Sequence, residues 1–532
     1  MPRKHNWLWA IPLVFIGITF YLPVTTVLNL GFGSHLIGSN QEVGIWPVLW
    51  FTIWQALLST LICLLIGIPA AYIFYRRSFP GSNFLRSIIT VPFMLPSLIV
   101  AMAIIEMGKP FGGFNPVLAI LIANVFSNYA VVVRNVGSQW ATISVSLEEE
   151  SELSGAGRIA TAFKVVLPQL ASSIRSSAAI IVLYCASSYG IVLSLGGGQV
   201  NTLETALSIS VLQRLDLQHG AALALLQILF TITAFWISRL GGTNPLSFDT
   251  HVGKTRNLDK RDLPAALFSF TTVLFLVIIP LCLVLIKAFI GNDGTLSFSN
   301  FMLLESKGYR DLLNITFIQA TFNSFRNLVI STLVAMLIGG ITSYLVAERS
   351  RKRKRDRLGV FLDGLFLMPI GVSAVVLGLG YLITFSGDFA FIRSSWIVVP
   401  IVQSVVAIPL VIRVLYPAFT SIDESPREQA RTDGAKSFQV FQYIDLALVK
   451  PALKTAIIFS ALVSIGEFGI ASLLSYGDQA TVPMLLYQLI SRPGNQNYEM
   501  ALAVAALLTV ITTILVLWVS RDSKTSRKKL PR

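Results

Sequence analysis

Long apolar stretches alternate along this chain with short polar ones. Runs of about twenty predominantly apolar residues, the length a helix needs to cross the hydrocarbon layer, cover roughly 7–28, 48–74, 85–107, 115–136, 176–195 and 220–238. They recur at roughly 264–288, 325–347, 360–386, 394–418, 454–476 and 498–520. The pattern predicts an all-α polytopic membrane protein with twelve spans, six in residues 1–239 and six in residues 264–520. A polar, basic linker at 240–263 joins the halves and a basic tail occupies 521–532. The first run follows the short basic segment Met1 to His5. It is longer than a signal-peptide core and has no small-residue cleavage site near its end, so it reads as an uncleaved span.

The two halves repeat. Ser59-Thr60-Leu61 through Ile66-Gly67 to Tyr72 reappears as Ser331-Thr332-Leu333 through Ile338-Gly339 to Tyr344, Arg134 recurs as Arg413, and Gly190 as Gly469. Six spans separate the copies, so the repeat is parallel and predicts a pseudo-two-fold pair about the membrane normal.

The strongest repeat lies between spans. Ser146-Leu147-Glu148-Glu149-Glu150-Ser151-Glu152-Leu153-Ser154-Gly155-Ala156-Gly157, continuing to Leu167-Pro168, aligns without a gap with Ser425-Pro426-Arg427-Glu428-Gln429-Ala430-Arg431-Thr432-Asp433-Gly434-Ala435, continuing to Leu446-Ala447. The spacing is 279 residues. Ser three residues before Glu predicts a capping box at Ser146/Glu149 and at Ser425/Glu428, with Pro426 at the first helical position. Gly155 and Gly434 supply the left-handed residue that ends a helix. Each copy is expected to be a short helix, a tight turn and a second amphipathic helix, carried by Phe163, Val165, Val166 and Leu167 or by Phe438, Phe441, Ile444 and Leu446.

Composition narrows the class. With 54% hydrophobic and 13% charged residues and a mean hydropathy of +0.71, the 532-residue chain would expose too much apolar surface to stay in water. The net charge of +14 raises nucleic acid as a partner, but position answers it. Arg76, Arg77, Lys254, Arg256, Lys260, Arg261, the run Arg349, Arg351, Lys352, Arg353, Lys354, Arg355 and Arg357, and the tail all fall on one side if the N-terminus is inside. Positive-inside orientation then accounts for the charge, places both termini and both repeated loops in the cytoplasm, and leaves no reason to invoke nucleic acid. Cys63, Cys185 and Cys282 lie in apolar runs, so no extracellular disulfide framework is implied. His5, His35, His219 and His251 are scattered in polar segments and suggest no metal site.

The loops at 144–170 and 423–451 resemble the EAA loops of ABC-importer permeases, in which Glu-Ala-Ala, three residues, Gly and a downstream Leu-Pro form the helix that docks into the ATPase. Glu149 and Glu428 match the Glu, Gln429 and Ala430 approximate the alanines, and Gly155 and Gly434 match the Gly. Glu150 and Ser151 replace the alanines in the first copy, and Ala447 replaces the Pro in the second. Over nearly its whole length the chain is similar to fused two-domain permeases of the thiamine and iron(III) group. Tyr75 to Gly81, Val192 to Gly198, Ser464 to Gly469 and Leu486-Tyr487-Gln488 look most like thiamine permeases.

The resemblance implies a type I importer fold and docking residues Glu149, Gly155, Ala156, Leu167, Pro168, Glu428, Ala430, Gly434, Ala435 and Leu446. It further implies an ATPase partner acting as a homodimer, which uses the ATP, and an extracytoplasmic solute-binding protein. Its solute is thiamine or its phosphates, with iron(III) as the alternative, and its place is the bacterial inner membrane. On this reading the chain is not an enzyme and binds no cofactor of its own.

No hydrolytic constellation stands out. Gly253-Lys254-Thr255 imitates the end of a phosphate-binding loop, but Phe248 stands where the first Gly belongs and no strand precedes it. A secondary transporter shares twelve spans and internal repeats, although gradient coupling ordinarily leaves more ionisable groups in the membrane. A docking scaffold that moves nothing is a further alternative.

Ionisable residues inside spans are costly enough to suggest function. Glu467, in Ser464 to Gly469, could attract a cationic solute or hold a gate, or it could tie helices together. Glu106 and Asp363 lie nearer span ends and read as interfacial, while Arg134 and Arg413 read as snorkelling anchors or as supports under the loops. Tyr189-Gly190 and Phe468-Gly469 break matching spans, and such breaks mark either a translocation path or close helix packing.

Overall fold

The computed structural model describes residues 6–33, 44–155, 157–239, 256–291, 294–311, 313–352, 362, 364–387 and 390–525. Outside these lie His5, His35, His251, the Gly253-Lys254-Thr255 stretch, Arg353 to Arg357, Asp363, Ala156 and most of the linker and tail.

Among the described residues, ten helices are long and apolar enough to cross a membrane: α1 (Ala10–Gly33), α2 (Ile45–Arg76), α4 (Pro116–Thr142), α5 (Ala162–Ala186), α6 (Leu217–Ala234), α7 (Lys260–Lys287), α8 (Phe317–Arg351), α10 (Val398–Thr420), α11 (Ser437–Gly466) and α12 (Asn495–Trp518). Two bent pairs, α3 (Ser82–Met94 with Ser97–Phe111, 106°) and α9 (Gly364–Gly371 with Ala374–Thr384, 100°), bring the number to twelve when each is counted as one span. The α3 bend falls at Pro96, which has no N–H to give and holds the preceding Leu95 extended at ψ 142°. The α9 bend falls before Ser373, whose hydroxyl accepts from the Val376 N–H and restarts the helix. Outward-facing Trp46, Trp50, Leu57, Leu61 and Leu65 form one stripe of α2, the face a helix in lipid leaves apolar.

Two expected spans are displaced. The fifth and eleventh, expected at 176–195 and 454–476, begin earlier, at Ala162 and Ser437, and stop at Ala186 and Gly466. The helix predicted after each loop is therefore no separate element but the first turns of α5 or α11. Lys164, Gln169 and Ser172 in one half and Lys450 and Lys454 in the other interrupt the apolar run without interrupting the backbone helix. A single wide turn occurs at equivalent places in both, Ala162–Val166 and Phe441–Asp445.

The halves interlock. In α1, Gly380 of α9 comes so near Pro23 that an added Cβ would stand 2.9 Å from the Pro23 carbonyl oxygen. The Tyr21 hydroxyl also donates to the Leu365 carbonyl at 3.1 Å. Reciprocally, α7 packs on α2 and α3 of the first half. Its start is tied there by Asp262, which accepts from the Tyr72 hydroxyl at 2.8 Å and pairs with Arg77 at 2.7 Å. Among the described residues the sheet content is one parallel pair, Arg77–Ser78 with Arg256–Asn257, which fixes the end of the linker to α2. A continuous apolar core runs through both halves.

Candidate translocation chamber and docking loops

Both repeated loops lie at one end of the helix bundle. The first holds a helix at Val145–Leu153, the second a helix at Ser425–Thr432. The expected capping boxes are not made. Ser146 lies one residue inside its helix and donates its N–H to the Ser144 hydroxyl at 3.2 Å, so Ser144 takes the capping place. Ser425 is the first helical residue and Pro426 the second, and no side chain caps that helix. The glycines do end the helices, with φ +82° at Gly155 and +90° at Gly434. In the second loop Gly434 N–H reaches the Arg431 carbonyl at 3.1 Å and Ala435 N–H the Ala430 carbonyl at 2.9 Å, the paired bonds of a Schellman ending. Glu428 is exposed, Leu167 and Leu446 are half-buried and Pro168 is exposed. Glu149 lies within the helix Val145–Leu153.

The departure from Ala-Ala in the first loop has a physical partner. Ser151 shares a hydrogen bond with Thr161 at 2.9 Å across the turn. The same two places in the second loop hold Ala430 and the buried Val440. A polar contact in one half thus stands where the other half has apolar groups.

Each loop is also tied to the helix bundle by a buried ion pair. Arg76, at the end of α2, pairs with Glu148 at 3.0 Å and donates to the Ile143 carbonyl at 2.8 Å. In the second loop the buried Arg427 pairs with Asp445 at 2.5 Å. Arg427 occupies the place of Glu148, and Glu348, at the place of Arg76, acts electrostatically on Asp445 and on Tyr344.

From the loops, α5 and α11 run without interruption to breaks at Ser187-Ser188 and Glu467-Phe468. There the chain turns into the short helices Tyr189–Leu195 and Gly469–Leu474. Around these breaks lies a chamber of about 140 Å³, lined by Ser97, Ser188, Glu204, Ser373 and Glu467 and by all of Tyr189, Gly190, Phe468 and Gly469. It adjoins a larger cavity of about 340 Å³ between α3, α4 and α5 of one half and α9, α10 and α11 of the other, where Asn124, Asn128, Tyr184 and Arg413 contribute polar groups.

Tyr189 and Phe468, equivalent by the repeat, stack at the junction with ring centroids 5.4 Å apart. Gly190 is there because Ser97 approaches it; a Cβ would stand 2.1 Å from the Ser97 Oγ. Glu467 accepts the Ile470 N–H at 3.1 Å, satisfying a donor that the helix break leaves free. Its carboxylate is thus both a helix-end ligand and part of the chamber wall.

Two expectations shift. Arg413 lines the larger cavity rather than anchoring at a lipid surface. Glu106, expected near a span end, lies two residues from the end of its helix and is buried. It pairs with Lys109 at 2.5 Å and accepts from the Tyr498 hydroxyl, joining α3 to α12. Glu204, which no apolar span contains because it sits in the short helix Leu203–Leu212 between spans, is 1% exposed. An acidic residue followed by Thr-Ala-Leu-Ser-Ile-Ser-Val-Leu was the signal available. Among the described residues, no group of three or more His, Cys, Asp or Glu stands close enough to hold a metal ion. Cys63 and Cys185 are buried free thiols and Cys282 is exposed on α7.

Residues 63–240 and 339–522 each match the family described as the binding-protein-dependent transport system inner membrane component. The chain belongs to this family. The two matches make it a tandem of permease domains, which separates it from secondary transporters with twelve spans. A thiamine transport system permease protein of Brucella abortus is 24% identical over 526 residues, covering 94% of this chain and 92% of its own length. That of Escherichia coli is 27% identical, covering 91% of each. A ferric transport system permease protein of Actinobacillus pleuropneumoniae is 22% identical, over 88% of this chain and 70% of its own.

Proposed function

We propose that this chain forms the membrane path of an importer for thiamine or its phosphates, with the docking loops in the cytoplasm of a bacterial inner-membrane system. A separate ATPase, as a homodimer, engages the two loops, and an extracytoplasmic binding protein delivers the solute. One observation carries the reading: α5 and α11 each run as one continuous helix from a repeated loop to the chamber between the halves. Movement of the loops when the ATPase closes on ATP is thereby delivered at Ser188 and Glu467, about 25 to 30 residues of helix away, at 1.5 Å per residue. The docking residues are Glu149, Gly155, Ala156, Leu167 and Pro168, with Glu428, Ala430, Gly434, Ala435 and Leu446 in the second half. The path or gate is formed by Tyr189, Gly190, Glu467, Phe468 and Gly469.

Thiamine is favoured over iron(III) by the thiamine permeases that match this chain over nine-tenths of both lengths, against 70% for the ferric relative. The test is uptake of labelled thiamine and, in parallel, of iron(III), by cells with and without the chain, before and after ATP depletion. Loss of ATP-dependent thiamine uptake alone supports the proposal. Loss of iron uptake alone replaces the solute and keeps the importer.

A further inference from the structure

We infer that the 140 Å³ chamber between the two helix breaks is a cation subsite, in which Glu204 and Glu467 take the positively charged ring of the solute. The inference rests on the thiamine reading above and deepens it.

Both carboxylates line the chamber, and Glu204 feels the charge of Glu467. Neither comes from the repeat. Ser188 stands at the place of Glu467 and Pro483 at the place of Glu204, so the acidic pair is a feature of the assembled interface. Their partners are neutral. Glu204 accepts from the Gln227 Nε2 at 3.1 Å and from Ser373, and Glu467 accepts from the Ile470 N–H. No Lys, Arg or His is among the described residues of the chamber wall. Two buried carboxylates without a cationic partner carry a desolvation cost when charged, which a bound cation offsets.

Three further observations point to a ligand. The void is close in size to a cavity of about 150 Å³ that admits a benzene ring. Tyr189 and Phe468 form part of its wall, and aromatic faces attract cations. In the adjoining cavity the fully buried Asn124 leaves its Oδ1 without a hydrogen-bond partner, while its Nδ2 is spent on Gln55 at 2.9 Å. That oxygen is a spare acceptor among the residues lining the adjoining cavity.

The test is equilibrium binding of labelled thiamine to the purified full chain, with a neutral isostere whose ring nitrogen is replaced by carbon as competitor. Glu204→Gln with Glu467→Gln is expected to weaken thiamine binding at least tenfold and to leave the affinity for the isostere unchanged. Glu106→Gln, a buried carboxylate away from the chamber, is expected to change neither and serves as the folding control. Equal weakening of both ligands, no effect of the double variant, or no thiamine binding by the unaltered chain overturns the subsite. Cells that take up no thiamine while the purified chain shows the expected charge-dependent binding overturn the transported-solute reading alone. Uptake without such binding overturns the subsite alone.

Discussion

Tyr189 and Phe468 occupy equivalent places in the two halves and stack on each other, their ring planes 17° apart. The Tyr189 hydroxyl is bonded to Ser208 at 2.7 Å and receives the Ser472 hydroxyl at 3.2 Å, so the stack is fixed from both halves. A stacked pair contributes about 0.5–1.5 kcal/mol beyond its buried area. Tyr189→Ala and Phe468→Ala are therefore expected to be non-additive by that amount in a double-mutant cycle on thermal unfolding. Additive losses would show that the rings act separately.

Gly190 and Ser97 make the tightest approach at the chamber. Gly190→Ala places a Cβ about where the Ser97 Oγ stands and is expected to lower uptake at least tenfold. Adding Ser97→Gly removes the obstruction and is expected to restore most of it. Uptake that Ser97→Gly does not restore would refute a steric cause.

The charges at two equivalent places of the repeated loops are exchanged between the halves. Arg76 reaches from α2 to Glu148, whereas Glu348 and Arg427 fill those places in the second half. Removing one member of a buried pair costs about 3–5 kcal/mol. Arg76→Ala is expected to reduce thermal stability strongly, and the exchange Arg76→Glu with Glu148→Arg to recover part of it, because the exchange restores opposite charges at the same two places. A swap no more stable than the single variant would exclude the pair as the cause.

Gly155 and Gly434 have open space around them, so a side chain there meets no atom within 4 Å. The penalty is conformational, about 1–2 kcal/mol for a left-handed residue with a Cβ and more for a β-branched one. Gly155→Val with Gly434→Val is expected to leave membrane insertion intact while reducing ATPase co-purification and uptake severalfold. Unimpaired uptake would remove the turns from the coupling route.

Asp262 ties the end of the linker to Tyr72 and Arg77. Asp262→Asn is expected to expose the bonds after Arg256, Lys260 and Arg261, so that trypsin cleaves there several times faster than in the unaltered chain. An unchanged digestion pattern would place the anchoring elsewhere.

Local sequence by itself determined the polytopic helical class, the tandem repeat and the helix-ending glycines of the repeated loops. Apolar run length, duplication at constant spacing and the left-handed preference of Gly155 and Gly434 are properties of neighbouring residues. It also marked Glu467, Phe468, Gly469, Tyr189 and Gly190 as an interruption in matching helices. The capping positions came out one or two residues away, since Ser144 and Ser146 are chemically interchangeable and only backbone geometry chooses between them.

What the tertiary structure decided depends on groups far apart in the chain. That α1 and α7 pack on the opposite halves, that Tyr189 meets Phe468, and that Glu204 joins Glu467 in one chamber are consequences of how two apolar surfaces fit. Hydrophobic patterning reports only that a face is buried, not what lies against it, because apolar burial is non-directional. Glu204 showed the limit most plainly: its helix is too short to read as a span, and only the packing of α6, α9 and α11 around it makes its carboxylate part of a site.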